Sequence, residues 1–457
     1  MECKKNVSYE DCELAILRMA VDKVEKIKGK RRLRNDIIRS IIRIVEDFLR
    51  KKKVVCYGGT AINNILPDHD QFYNKQVEFP DYDFFSINPV QDAKELADIY
   101  AKEGYHDVEA KAGLHEGTYK VYVNFIPVAD ITYIDKELFS NILKESIVLD
   151  KIHYASADFL RMSMYLELSR PMGDVSRWEK VLKRIRILNK HYPLKGKNCD
   201  KIDVQRIFES KIENGKELFF HVRDILRSEQ VVFFGAMAHQ MYTRYMNKNK
   251  VKHIPDFDVL TLRPEQVAKR IQSRLKIYGY TNVQIKKHKP IGELISEHYE
   301  LSVDGDIVVI LYKPLACHSY NIIRVQNKPI KIATIDTMLS LYLAFMYSNR
   351  LYYDKERILC MCEYLFKVQE KNRLAQKGLL KRFSIKCIGQ QESLEDIRAH
   401  KSKMFEISKL KKNTKEHDVL FLNYKPNDTK KKTKKKIKKR KKKTKRRNWR
   451  DILLGIK

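Results

Sequence analysis

The apolar positions of this chain change their period several times, and the changes mark out its elements. Ile37, Ile38, Ile41, Ile42, Val45, Phe48 and Leu49 recur at three- and four-residue spacing, which predicts a helix with one buried face. Val54-Val55-Cys56-Tyr57 is short and continuously apolar, so it reads as a buried strand. Gly58-Gly59 then predicts a tight turn leading into a new helix at Thr60-Ala61. Phe79-Pro80-Asp81-Tyr82-Asp83-Phe84-Phe85 and the apolar run Val123–Tyr133 predict two further strands. From Tyr154 to Pro171 the helical period returns, with Phe159, Leu160, Met164 and Leu168 on one face.

Much of this order occurs twice, about 177 residues apart. Asp47–Gly58 matches Asp224–Gly235, Phe79–Asp83 matches Ile254–Asp258, and Ala157-Asp158 matches Ile335-Asp336. A helix, a strand, a Gly turn, a helix, an Asp-x-Asp strand and a further strand predict a mixed α/β (α+β) fold of two tandem modules. The expected segments are 1–34, a first module 35–150, a helical connection 151–210, a second module 211–370, an extension 371–424 and a tail 425–457. The copies differ at chemically informative positions. Gly59 becomes Ala236, Thr60 becomes Met237, and Asp130 aligns with Ile310. A one-position slip in that alignment would bring Asp304 or Asp306 into play instead.

Composition narrows the class. With 457 residues and 43% hydrophobic content the chain can bury two or three cores. No apolar run approaches the length of a membrane span, and Met1-Glu2-Cys3-Lys4-Lys5 does not read as a secretory signal. The eight cysteines are scattered without a Cys-x-x-Cys pair, which predicts reduced thiols in an intracellular protein. The net charge is +33. Sixteen Lys and Arg residues between Lys430 and Arg450 account for less than half of it, so the body is basic in its own right. A polyanion, most commonly nucleic acid, is the expected partner. The lysine run itself predicts disorder, because it repels itself and buries nothing.

The candidate chemistry lies in the first copy. Two small glycines let backbone N–H groups approach a triphosphate. Asp81 and Asp83, two apart on a strand, point the same way and can hold two divalent cations. Asp130 sits within an apolar strand, on one face with Val128 and Thr132, where a carboxylate is costly unless paired. A metal shared with Asp81 and Asp83 would be such a partner, and a Lys or Arg is the plainer alternative.

Gly58-Gly59-Thr60-Ala61, Phe79–Phe85 and the later Asp130 resemble the signature of polymerase β-like nucleotidyltransferases. More narrowly, they resemble the poly(A) polymerase catalytic subunits of large nucleocytoplasmic DNA viruses, over roughly residues 35–370. The resemblance implies one active and one degenerate nucleotidyltransferase module. It implies AMP transfer from ATP to the 3′-hydroxyl of RNA, with two Mg²⁺ or Mn²⁺ ions on Asp81, Asp83 and Asp130. Gly58, Gly59 and Thr60 would hold the nucleotide, and Arg161, Arg177, Lys180 and Lys183 would be further phosphate ligands. For each of those four cations a solvated helix face is the competing reading. The resemblance further implies a homodimer working in the host cytoplasm, a viral factory or the virion. Nothing in the motif selects adenine, so another tailing enzyme (CCA, U or an oligonucleotide product) stays open. So does a non-catalytic RNA-binding scaffold.

Overall fold

A computed structural model describes residues 9–33, 36–73, 80–206, 215–246, 256–350, 352–408 and 414–426. The Lys430–Arg450 run, Phe79, Ile254 and Pro255 lie outside the described residues, as do parts of the expected N-terminal segment. The chain forms two compact units, one from residues 1–133, 148–154 and 400–457, the other from 134–147 and 155–399. Thus 155–206 and 371–399 fold with the second unit, and 400–426 with the first.

In the first unit the strands are β1 (Val55–Tyr57), β2 (Tyr82–Ser86), β3 (Val108–Ala112), β4 (Thr118–Val123), β5 (Ile126–Tyr133), β6 (Ile147–Leu149) and β7 (Ile152–Tyr154). They form one mixed sheet in the order β3-β4-β5-β2-β1-β7-β6, and the short strand Asn423–Tyr424 adds to the β3 edge. That addition covers an edge that would otherwise present open N–H and C=O groups. β2 alternates strictly: Tyr82, Phe84 and Ser86 are buried while Asp83 and Phe85 face the other side. The helix Asp36–Lys51 closes the apolar face with Ile38, Ile41, Ile44, Val45, Phe48 and Leu49. Ile37, expected inside, is 52% exposed, and Ile44 takes a buried place instead. Helix Pro89–Lys102 packs Ala93, Leu96, Ala97 and Tyr100 inward, and the Tyr100 hydroxyl donates to the Ile41 carbonyl at 2.7 Å.

The second unit repeats the plan. Its strands are β8 (Val232–Phe233), β9 (Phe257–Leu260), β10 (Val283–His288), β11 (His298–Val303), β12 (Asp306–Tyr312), β13 (His318–Val325), β14 (Lys328–Ala333) and β15 (Cys387–Ile388). Their order is β10-β11-β12-β9-β8-β14-β13-β15. The helix expected from Tyr154 begins at Ala157, because the Ser156 side chain caps it and residues 152–154 belong to β7. Its counterpart Ile335–Phe345 is capped by Thr334 in the same way. The cysteines correct the expectation of reduced thiols: Cys199–Cys360 and Cys317–Cys387 are disulfides, while Cys56 and Cys362 are free and buried. Separations of 161 and 70 residues left no local spacing to read. No helix among the described residues is long and apolar enough to cross a membrane.

Two histidines in this unit are buried in the neutral state. Loss of hydration holds His318 at about 3, aided by Arg170, and His298 at about 4, aided by His288 and Arg350. In the unfolded chain each titrates near 6.5, so below that pH the unfolded state takes up protons that the folded state refuses. Their contribution is complete above about pH 6.5 and is lost as pH falls towards 4. Denaturant unfolding between pH 6.5 and 4.5 should therefore show stability dropping by up to about 1.4 kcal/mol per pH unit for each histidine. A His318→Gln chain should lose about half of that histidine slope.

Candidate active site

The first unit aligns four side chains in one row across its sheet. Tyr57 in β1 pairs with Asp83 in β2, Asp83 with Asp130 in β5, and Asp130 with Lys120 in β4. Residues paired across strands share a sheet face, so two carboxylates and a lysine stand side by side. Asp81 lies two residues before Asp83, immediately ahead of β2 and outside the row. The row continues through Lys111 in β3, which pairs with Lys120.

A bulge sets this register. From the Asn124-Phe125 turn the hairpin pairs Val123 with Ile126 and Tyr122 with Pro127, and then Val121 with Ala129. Val128 is the extra residue. Without it Lys120 would face Ala129, and Asp130 would face Tyr119. Pro127 lacks an N–H, which suits it to the irregular position.

The turn at Gly58 is built around Asp83. Gly58 has φ +74°, and a Cβ there would strike the Asp83 carboxylate, whose Cγ would lie 3.2 Å away. Glycine meets both demands at once. Thr60 donates its hydroxyl to the Asp81 carbonyl at 2.6 Å, tying the helix start to the carboxylate strand. Tyr57 stacks on Phe85 with ring centroids 3.9 Å apart, and its hydroxyl lies 2.9 Å from that of Thr132. Burial and the Asp83 charge push the Tyr57 phenol up, so it stays protonated.

Electrostatics in the row are unbalanced in a telling way. Lys120 forms an ion pair with Oδ2 of Asp130. Oδ1 of Asp130 is buried and has no hydrogen-bond partner among the described residues. Lost hydration and the Asp130 charge raise the pKa of Asp81, while Lys120 opposes the rise. Burial works against the Lys120 charge, and the Asp130 pairing outweighs it, so its pKa rises. Carboxylate oxygens, one of them orphaned, are the hard donors a divalent cation takes, although Asp81, Asp83 and Asp130 do not each bring an oxygen within 4.8 Å of the other two in this structure.

The four other cations singled out in the sequence belong to the second unit. Arg161 is 1% exposed and spends its donors on Asp158, on Asn189 at 2.7 Å and on the Tyr192 carbonyl. Arg177 pairs with Glu167 at 3.1 Å, and Lys183 with Glu179 at 2.7 Å one helical turn away. Lys180 lies exposed on the same helix, Trp178–His191.

The second copy keeps the backbone and changes the chemistry. Ile310 pairs with Asp258 as Asp130 pairs with Asp83, and Glu300 stands opposite Ile310 where Lys120 stands opposite Asp130. A bulge recurs at Leu301/Ser302. Asp306 pairs with Val303 near the hairpin turn and does not take the third carboxylate's place. Arg206 fills the site instead, reaching Asp256 at 2.5 Å and Asp258 at 2.9 Å. Burial disfavours the Arg206 charge, but Asp256 and Asp258 more than offset it and push its pKa up. Neither Lys120 nor Arg206 stands out in the sequence. The register with its bulge was the missing signal for Lys120. For Arg206 there was none, since it precedes Asp256 by 50 residues.

Arg206→Ala should leave two buried carboxylates uncompensated and cost the second unit about 3–5 kcal/mol in urea unfolding. Adding Asp256→Asn and Asp258→Asn should recover most of that loss. A triple variant no more stable than Arg206→Ala would refute the pairing.

Comparison with known proteins bears on the fold and on the resemblance as a whole. Residues 43–174 match the family model described as poly(A) polymerase catalytic subunit. A "Putative poly(A) polymerase catalytic subunit" of Acanthamoeba polyphaga mimivirus is 28% identical over 332 residues, 71% of this chain and 51% of that protein. A protein of the same description from African swine fever virus (strain Badajoz 1971 Vero-adapted) is 32% identical over 237 residues, 50% of this chain and 46% of its own length. The chain therefore spans about half the length of the curated relatives it matches. The crystal structure of the Megavirus polyadenylate synthase superposes with a TM-score of 0.75 at 21% identity, covering 94% of this chain and 88% of that one. The mixed α/β fold with two sheets is that of the synthase structure, and the resemblance read from the motifs holds.

Proposed function

We propose that this chain, whose residues 43–174 carry the poly(A) polymerase catalytic subunit match, is a template-independent poly(A) polymerase. It would add AMP from ATP to the 3′-hydroxyl of RNA, using the first module. The observation that carries the reading is the row Asp83–Asp130 beside Asp81 at the Gly58 turn, with one oxygen of Asp130 left unpaired. Mg²⁺ or Mn²⁺ held by Asp81, Asp83 and Asp130 would neutralise the triphosphate and lower the pKa of the attacking hydroxyl.

The residues of the chain supply position and charge. Gly58 lets the Asp83 carboxylate pack against the start of the helix Gly58–Ile65, whose opening backbone N–H groups would take a polyphosphate. Thr60 keeps that helix start and the Asp81 backbone in fixed relation. The rigid sheet holds Asp83 and Asp130 at one register, so the nucleophile and the α-phosphorus meet in a fixed frame. The second module, with Arg206 in place of a cation, would serve as a scaffold rather than a second site. By the same resemblance two copies would work together as a homodimer.

The test is extension of a short oligo(A) primer with each of the four NTPs separately, with Mg²⁺ or Mn²⁺. A long ladder with ATP alone is expected. Asp83→Ala should lower the rate by about three orders of magnitude, roughly 4 kcal/mol of barrier, with the fold intact. Activity within about tenfold of the parent would sink the assignment of Asp83. Extension with another base would keep the site and change the product. Tight RNA binding without extension would favour a scaffold.

The lysine run should hold RNA near the site. Trimming the chain after Asn427 should weaken single-strand binding and flatten its salt dependence, by about 0.7 in log–log slope for each phosphate that the tail had neutralised. An unchanged slope would exclude the tail from RNA binding.

A further inference from the structure

The function proposed for the carboxylates leaves Lys120 without a role. Three observations set it apart from an ordinary surface lysine. It stands directly across the sheet from Asp130, in a register that depends on the bulge at Val128. Its ion pair takes one oxygen of Asp130 and leaves the other buried and unpartnered among the described residues. In the second copy the two positions change together. Where the carboxylate becomes Ile310, the lysine becomes Glu300, which pairs with His288 at 2.9 Å.

The charge pattern follows from the chemistry. Carboxylates gathered on one sheet face repel each other and need a cation. A lysine provides one charge on a flexible four-carbon stem, with three donors and no fixed geometry. The Lys120 side chain is 35% exposed, so it can leave Asp130 without breaking the sheet. A divalent cation at the same oxygens brings more charge and must compete with it.

We propose that Lys120 is a resident counter-ion of Asp130, displaced when the divalent cation binds, and that its freed ammonium group then takes a phosphate of the incoming nucleotide. This rests on the metal-binding reading of Asp81, Asp83 and Asp130. The displaced ammonium stays on the face that carries the Gly58 turn, where the polyphosphate would lie. Lys120 is thus a positioning residue for Asp130 before the cation arrives and a phosphate ligand afterwards.

Calorimetric titration of the full chain with Mn²⁺, in the absence of nucleotide, separates the possibilities. Lys120→Met should bind Mn²⁺ on the order of tenfold more tightly than the parent, because the competing charge is gone. Lys120→Arg should stay near the parent. In primer extension, Lys120→Met should raise KM for ATP by about tenfold and change kcat less, since the ammonium would hold the phosphate already in the ground state. Lys120→Gln replaces it if Lys120→Met does not fold, with melting curves as the check. A merely structural lysine would lower the melting temperature and weaken both ligands together. An unchanged or weaker Mn²⁺ affinity, or a KM for ATP that does not rise, overturns the proposal. Asp83→Asn serves as the control. If it binds Mn²⁺ as well as the parent, or the parent binds none, the metal reading itself fails and Lys120 falls with it. If Asp83→Asn loses Mn²⁺ while Lys120→Met matches the parent, only the role of Lys120 fails.

Discussion

Everything in the first unit's site follows from carboxylates held next to each other on one sheet face. Asp83 and Asp130 are paired across parallel neighbours β2 and β5, so neither can turn away from the other without leaving its strand. Such an arrangement raises the energy of the cation-free protein. A fold keeps it only if a cation answers it. In the first copy the answer is partial: Lys120 covers one oxygen, and another stays buried and unpaired among the described residues. In the second copy it is complete, because Arg206 bridges Asp256 and Asp258 with a planar, permanently charged group. The same backbone therefore carries one carboxylate pair with an oxygen left unpaired among the described residues and one pair closed by the chain's own arginine.

The surrounding structure keeps the register that creates this contrast. The bulge at Val128 decides which residue faces Asp130. The close approach at Gly58 decides how near Asp83 sits to the helix start. Thr60, bonded to the Asp81 carbonyl, keeps helix and strand from sliding. At Gly235 a Cβ would likewise meet Asp258, with Cγ at 2.8 Å, so the second copy keeps the close approach even though its glycine has φ −71° where Gly58 has +74°.

How much of this was legible in the sequence depends on whether the signal was local. The helix at 36–51, the strand before Gly58, the Asp-x-Asp strand and the repeat were readable because period and motif are short-range properties. The alignment of Ile310 with Asp130 was readable too, and the strand registers reproduce it. What escaped was set by pairing at a distance. Lys120 lies ten positions from Asp130 across a hairpin whose bulge no pattern announces. Arg206 reaches Asp256 and Asp258 from a segment that reads as a linker, and Cys199 finds Cys360 across 161 residues. Ile37 and Ile44 exchanged places because both fit a helical stripe, and only packing against the sheet decides which is covered.

The most direct measurement is the anomalous signal of manganese in crystals soaked with Mn²⁺ and a non-hydrolysable ATP analogue. The account predicts manganese between Asp81, Asp83 and Asp130, and no ion at Asp256 and Asp258, where Arg206 remains. Manganese bound in the second copy, or a first copy that stays empty at saturating Mn²⁺ and nucleotide, would contradict it.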